Sequence, residues 1–100
     1  MEHYIEVAKT SDIPAGEGKV VKVSGKDVAL FNVNGKFYAI DNTCKHHGGP
    51  LGEGFLDGNV VTCPWHGWQY DVTTGNNIVL PAHVRTFKTK VENGKVFVDV

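Results

Sequence analysis

The chain has 100 residues, a formal net charge of −1 and a pI near 6.5. This length suits one modest core, so residues 1–100 are expected to form a single domain. The balanced charge predicts no nucleic-acid partner, and the lack of an apolar run of ~18 residues predicts no membrane-spanning helix. We expect a cytoplasmic protein because the N-terminus does not resemble a secretory signal, although a leader removed on maturation would leave the same sequence. We also expect the protein to be monomeric.

Short apolar runs separated by turn signals predict strands along most of the chain. The predicted strands are 20–23, 28–33, 36–40, 59–62, 68–72, 84–91 and 95–100. The hairpin signals are Ser24-Gly25, Asn34-Gly35, Asp57-Gly58 and Asn93-Gly94, because glycine and asparagine adopt positive φ at low cost. No window has a 3.6-residue period, so the only helix expected is a short turn near 11–14. The pattern predicts an all-β fold, an antiparallel sandwich or barrel of short strands.

The middle of the chain has a different composition from the predicted strands. Residues from about 43 to 76 are rich in Gly, Pro, His and Trp, and we interpret them as a small inserted subdomain. This segment contains both cysteines of the chain. They belong to the motifs Cys44-Lys45-His46 and, after sixteen residues, Cys63-Pro64-Trp65-His66.

Each motif pairs a thiolate donor with an imidazole donor. A Cys/His pair from each of two loops suits an asymmetric two-iron cluster with both thiolates on one iron and both imidazoles on the other. This replacement of two Cys by two His defines the Rieske [2Fe–2S] centre. Because such a cluster would join two distant segments, we expect its binding to be coupled to folding of the subdomain.

The sequence allows three other interpretations. Cys44 and Cys63 could form a disulfide, but a reducing compartment and the neighbouring histidines favour a metal site. Two Cys and two His could hold zinc, but this spacing is not usual for zinc fingers. An oxygenase would need a further 2-His-1-carboxylate iron site, and the remaining histidines, His3, His47 and His83, have no paired spacing.

Five residues around the motifs are expected to support the ligands. Gly48 and Gly67 permit close backbone approach, so that main-chain N–H groups can point at sulfur, and Pro64 lies between two ligands. Tyr70 could donate its hydroxyl to a sulfur or be an ordinary strand tyrosine. Trp65 is expected to shield the cluster from water, a role compatible with that of a core aromatic residue.

In these motifs and in several other segments, the chain resembles the Rieske family, and within it the small Rieske-type ferredoxins. The similar segments are C-K-H-H-G-G-P-L at 44–51, C-P-W-H-G-W-Q-Y-D at 63–71, T-G at 74–75, V-R-T-F at 84–87 and E-N-G-K-V-F-V at 92–98. The resemblance implies one [2Fe–2S] cluster held by Cys44, His46, Cys63 and His66. It further implies a one-electron carrier, not itself an enzyme, between a flavin-containing NAD(P)H reductase and a terminal aromatic-ring oxygenase. A small Rieske subunit of a larger reductase, such as nitrite reductase, is the alternative.

The chain departs from the high-potential members of that family in two respects. Their loop-clamping disulfide cannot form here, since the matching positions are Gly49 and Trp65. Their serine two residues after the second His ligand is replaced by Trp68, which removes a hydrogen bond to a bridging sulfide. A lost donor leaves more electron density on the cluster, so we expect a reduction potential of roughly −150 to 0 mV.

Overall fold

The computed structural model describes residues 4–43, 50–65 and 67–99. Strands and two short 3₁₀ helices account for most of these residues, which confirms the predicted all-β fold. In chain order the strands are β1 (Tyr4–Lys9), β2 (Gly18–Val23), β3 (Lys26–Val33), β4 (Lys36–Asp41), β5 (Phe55–Asp57), β6 (Val60–Thr62), β7 (Gln69–Asp71), β8 (Thr86–Phe87), β9 (Thr89–Glu92) and β10 (Lys95–Asp99). The 3₁₀ helices are Thr10–Asp12, at the predicted helical turn, and Leu51–Glu53.

The strands in the described part of the chain form three antiparallel sheets. The first has the order β1-β10-β9, the second β2-β3-β4-β8 and the third β5-β6-β7. The third sheet lies inside the predicted insertion, whose bounds of about 43 and 76 stay a prediction.

Strand β3 connects the two halves of the core because both of its faces are buried. Val28 and Leu30 contribute to a cluster with residues of the first sheet, such as Val96. Ala29 and Phe31, which alternate with them, contribute to a second cluster with residues of the third sheet. Successive side chains of a strand point to opposite faces, so the uninterrupted apolar run in β3 places the second sheet between the other two.

The dipeptide signals at the hairpins are confirmed by backbone geometry. Ser24, Asn34 and Asn93 each have φ of 51°, and the glycine after each also has positive φ. Two consecutive residues with positive φ define the type I′ turn, whose twist matches that of the paired strands. At the Asp57-Gly58 signal, Gly58 has φ of 61° and the turn connects β5 to β6.

The prediction of one strand over 84–91 is wrong. Strand β8 pairs with β4 of the second sheet, whereas β9 pairs with β10 of the first. The chain changes sheets at Lys88, close to where the Thr89 hydroxyl donates to the Phe37 carbonyl at 2.6 Å. An apolar pattern reports which residues are strand-like but not which neighbour they pair with. Strands β1 and β5 were not predicted.

Candidate metal centre

The first motif segment is held at both of its ends. Thr43 and Pro50 form an antiparallel bridge across it. Asn42, which is 7% exposed, accepts backbone hydrogen bonds from Leu51 on its carbonyl oxygen and from Gly52 on its side-chain Oδ1, both at 2.8 Å. Cys44, His46 and Gly48, predicted as two ligands and a supporting glycine, lie outside the described residues.

The second motif begins where β6 ends, in a loop that is closed at its base. The Cys63 backbone N–H donates to the Trp68 carbonyl at 2.7 Å, and the preceding residue Thr62 pairs with Gln69. Gln69 Nε2 also donates to Thr62 Oγ1 at 3.2 Å. A loop of fixed length between paired strands limits the positions that the side chains of Pro64 and Trp65 can reach. His66 lies outside the described residues.

The thiol of Cys63 lies in an apolar environment. Cys63 is 2% exposed and belongs to the same buried cluster as Leu51, Val61 and Tyr70. Leu51 follows the first motif and Cys63 opens the second, so the two loop bases share one core. A sulfur ligand buried in this way is shielded from water, which suits a metal–thiolate site whose potential depends on solvent exclusion. The described part of the site therefore fits an iron–sulfur cluster.

The 3₁₀ helix Leu51–Glu53 and the following Gly54 join the scaffold to the third sheet through two close glycine contacts. A Cβ added at Gly52 would lie 2.7 Å from Val20 Cγ2 and 3.1 Å from Asn42 Oδ1. A Cβ added at Gly54 would overlap the backbone carbonyl oxygen of Thr62. Residues 52–54 thus touch β2 on one side and the stem of the second motif on the other, and only glycine permits this approach.

The supporting residues differ in exposure. Tyr70 lies in β7 and is fully buried, whereas Trp65 is half exposed at 50%. Pro64 is exposed in the same turn, and Gly67 has φ of 74°, in the left-handed region that favours glycine. Trp68 is partly buried against the cluster that contains Cys63. The contribution of each to ligand binding stays a prediction.

Asp71 stabilises the turn that follows the third sheet. Its Oδ1 accepts hydrogen bonds from the Thr73 backbone N–H at 2.8 Å and the Thr73 hydroxyl at 2.6 Å. Burial acts to raise the pKa of Asp71, but the hydrogen bonds from Thr73, Asn59 and Thr74 outweigh it and hold the pKa below the ordinary 3.8. The carboxylate is therefore charged at neutral pH and orders residues 71–75.

Sequence analysis missed an exposed apolar segment beside the second motif. Ile78, Val79 and Leu80 are 49%, 81% and 42% exposed. Val79 and Leu80 line a cleft together with Gly67 and Trp68, which directly follow the second motif. The sequence does contain a signal for this segment. Three consecutive apolar residues precede a proline and lack the alternation of apolar and polar residues that is typical of a half-buried strand.

Within 4–43, 50–65 and 67–99, no three His, Cys, Asp or Glu side chains come together as metal ligands. His83 is exposed, and His3 and His47 lie outside these ranges. No helix in the same ranges is long and apolar enough to cross a membrane.

Comparison with known proteins shows the family. Residues 3–94 match the Rieske [2Fe–2S] domain. The ferredoxin component of the naphthalene 1,2-dioxygenase/salicylate 5-hydroxylase systems of Ralstonia is 39% identical over 95% of this chain and 93% of its own.

Solved structures give the same result. In the complex of reduced oxygenase and oxidized ferredoxin in carbazole 1,9a-dioxygenase, one chain is similar with a TM-score of 0.88 and 34% identity, over 96% of this chain and 92% of its own. The terminal oxygenase of carbazole 1,9a-dioxygenase from Nocardioides aromaticivorans is similar with a TM-score of 0.85 and 28% identity, but over only 29% of its own length. With the match extending over nearly all of its length, this chain belongs to the Rieske [2Fe–2S] domain family.

Proposed function

We propose that this chain is a one-electron carrier, a Rieske-type ferredoxin that passes electrons from an NAD(P)H-dependent flavin reductase to the terminal oxygenase of an aromatic-ring dioxygenase system. The observation that carries the proposal is the shared base of the two motif loops. Cys63 is buried in one cluster with Leu51, which follows the first motif. A [2Fe–2S] cluster bound there supplies one-electron redox chemistry.

The proposed ligands are Cys44, His46, Cys63 and His66. Cys63 enters the site from a buried position, where the surrounding apolar side chains exclude water. The bridge between Thr43 and Pro50 brings together the two ends of the segment that contains the other thiolate. The β scaffold thus fixes the ends of both loops, and the proposed task of the chain is to hold the ligands and limit solvent access.

The role as a carrier, with no catalysis of its own, is supported by the relatives. The Ralstonia protein, matched over almost its whole length, is named a ferredoxin component. The Nocardioides oxygenase is matched over only 29% of its length, so an oxygenase contains much more than this domain. These relatives support a terminal oxygenase as one partner, and none of them favours the alternative of a nitrite reductase subunit.

The cluster can be tested directly. Dithionite-reduced protein is expected to give a Rieske-type electron paramagnetic resonance signal, with about two irons and two acid-labile sulfides per chain. The variant His66→Ala should lose that signal, whereas His83→Ala, which removes an exposed histidine outside the motifs, should retain it. Zinc-bound protein would be colourless and without sulfide, and that result would refute the proposal.

The carrier role needs a second measurement. Purified protein should be reduced with NAD(P)H by a flavin reductase of an aromatic-ring dioxygenase system, and the reduced protein should support substrate turnover by the terminal oxygenase of that system. Omitting the chain gives the control rate. A cluster-containing protein that accepts electrons from dithionite but supports no turnover would contradict the assigned partners.

A further inference from the structure

The exposed residues Ile78, Val79 and Leu80 form an apolar surface next to the second motif loop. Val79 has 81% of its surface exposed, more than any other large hydrophobic residue in the described part of the chain. No charged side chain occurs between Asp71 and His83, so the surface has no ionic groups of its own. A contiguous exposed apolar surface on a small protein commonly marks an interaction site.

The side chain of Asn77 fixes the backbone of this surface. Asn77 is 9% exposed, and its Oδ1 accepts hydrogen bonds from the backbone N–H groups of both Val79 and Leu80 at 2.9 Å. Its own backbone N–H donates to the Ala82 carbonyl at 2.8 Å, which closes the loop. A buried amide that satisfies two neighbouring donors specifies one loop conformation.

The remaining backbone donors of the loop are satisfied as well. Ile78 donates to the Gln69 carbonyl at 3.1 Å, Ala82 donates to the Leu80 carbonyl at 2.8 Å, and Pro81 has no N–H group. The loop is therefore ordered by its own hydrogen bonds and by β7, while Val79 stays largely exposed and Ile78 and Leu80 stay partly exposed. Such an ordered surface loses little conformational entropy when a partner covers it.

We propose that Ile78, Val79 and Leu80 form the docking surface for the terminal oxygenase and that Asn77 is its positioning residue. This inference rests on the proposed function. The cleft lined by Val79 and Leu80 is continuous with Gly67, next to the proposed ligand His66, so a partner seated there lies beside the electron-transfer site. A chain 34% identical to this one occurs in a solved complex with an oxygenase, which favours the oxygenase as the occupant.

The first test compares two valine substitutions. The dissociation constant for the terminal oxygenase of the Ralstonia naphthalene 1,2-dioxygenase system is measured by calorimetry, with the carbazole 1,9a-dioxygenase oxygenase as a second probe. Val79→Ser is expected to weaken binding by about tenfold, since it replaces an apolar contact with a hydroxyl. Val91→Ser alters a 47% exposed valine on β9, in the first sheet, and should change binding less than about twofold.

The second test separates positioning from folding. Asn77→Asp retains an oxygen that can accept from Val79 and Leu80, so binding should stay within about threefold of wild type. Asn77→Leu has no acceptor and should weaken binding by about fivefold or more. The paramagnetic resonance signal and the midpoint potential should be unchanged in every variant. If Asn77→Leu does not fold, Asn77→Asp and the valine pair decide the question.

Each other outcome has a defined meaning. Equal affinity of Val79→Ser and wild type would overturn the docking surface, as would equal weakening by the two valine substitutions. Slower reduction by the flavin reductase with unchanged oxygenase affinity would assign the surface to the reductase and overturn the proposal. Wild-type protein with a normal cluster signal that binds neither oxygenase would also overturn it, whereas absence of the cluster signal would refute the proposed function itself.

Discussion

The contact at Gly54 gives a prediction whose sign depends on the structure. Gly54 has φ of −76°, which any residue can adopt. If alanine met no steric clash at this position, it would stabilise the fold by about 0.4–1 kcal/mol, because it lowers the conformational entropy of the unfolded chain. In the folded chain, however, the new Cβ would overlap the carbonyl oxygen of Thr62 and lie 3.0 Å from Val61 Cγ2. We therefore predict that Gly54→Ala is destabilising.

The size of the destabilisation by Gly54→Ala depends on which atoms must move to relieve the overlap. The overlapping atom belongs to the backbone of β6, so relief requires a displacement of roughly 1 Å in the strand that leads into Cys63. Overpacking that shifts backbone costs about 1–3 kcal/mol. Because the Leu51 carbonyl lies 3.1 Å from the same Cβ, the displacement separates the bases of the two motif loops. Cluster occupancy should fall together with stability.

The assay combines urea unfolding with iron and sulfide quantification. Gly58→Ala is the matched control in the same sheet, since its Cβ would meet nothing within 4 Å although its φ is 61°. That control should cost about 1–2 kcal/mol for the left-handed backbone while retaining full iron content. Gly54→Ala protein that is as stable as wild type and contains full iron would refute the steric reasoning.

The remaining predictions concern the potential, one hydroxyl and one carboxylate. Protein-film voltammetry should give a midpoint of roughly −150 to 0 mV, and a value above about +150 mV would contradict the expected effect of Trp68. Tyr70→Phe should lower that midpoint by roughly tens of millivolts if the buried hydroxyl donates to a sulfur, while an unchanged midpoint would assign Tyr70 to packing alone. Asp71→Asn should reduce the free energy of unfolding at pH 7, because the lowered pKa of Asp71 makes its carboxylate stabilising above 3.8. This stabilisation is lost as pH falls through the folded-state pKa, so urea titrations should show the wild type and the variant converging below about pH 4.

The metal-binding motifs and the hairpin turns could be predicted from the sequence because they depend on residues that are close together in the chain. The pairing of Cys44 with His46 and of Cys63 with His66 indicates a mixed sulfur–nitrogen metal site, because ligand identity is a property of the residue itself. Asn34-Gly35 and Asn93-Gly94 identified hairpins because positive φ is a property of two adjacent residues.

Tertiary structure alone decided the features that depend on distant partners. The change of sheet at Lys88 and the burial of both faces of β3 follow from pairing and packing between segments far apart in the chain. The need for glycine at position 54 comes from the Thr62 carbonyl, and the amide of Asn77 fixes the backbone conformation in which Val79 is exposed. Apolar periodicity indicates that a side chain prefers burial. Whether other residues cover that side chain depends on which segments folding brings next to it.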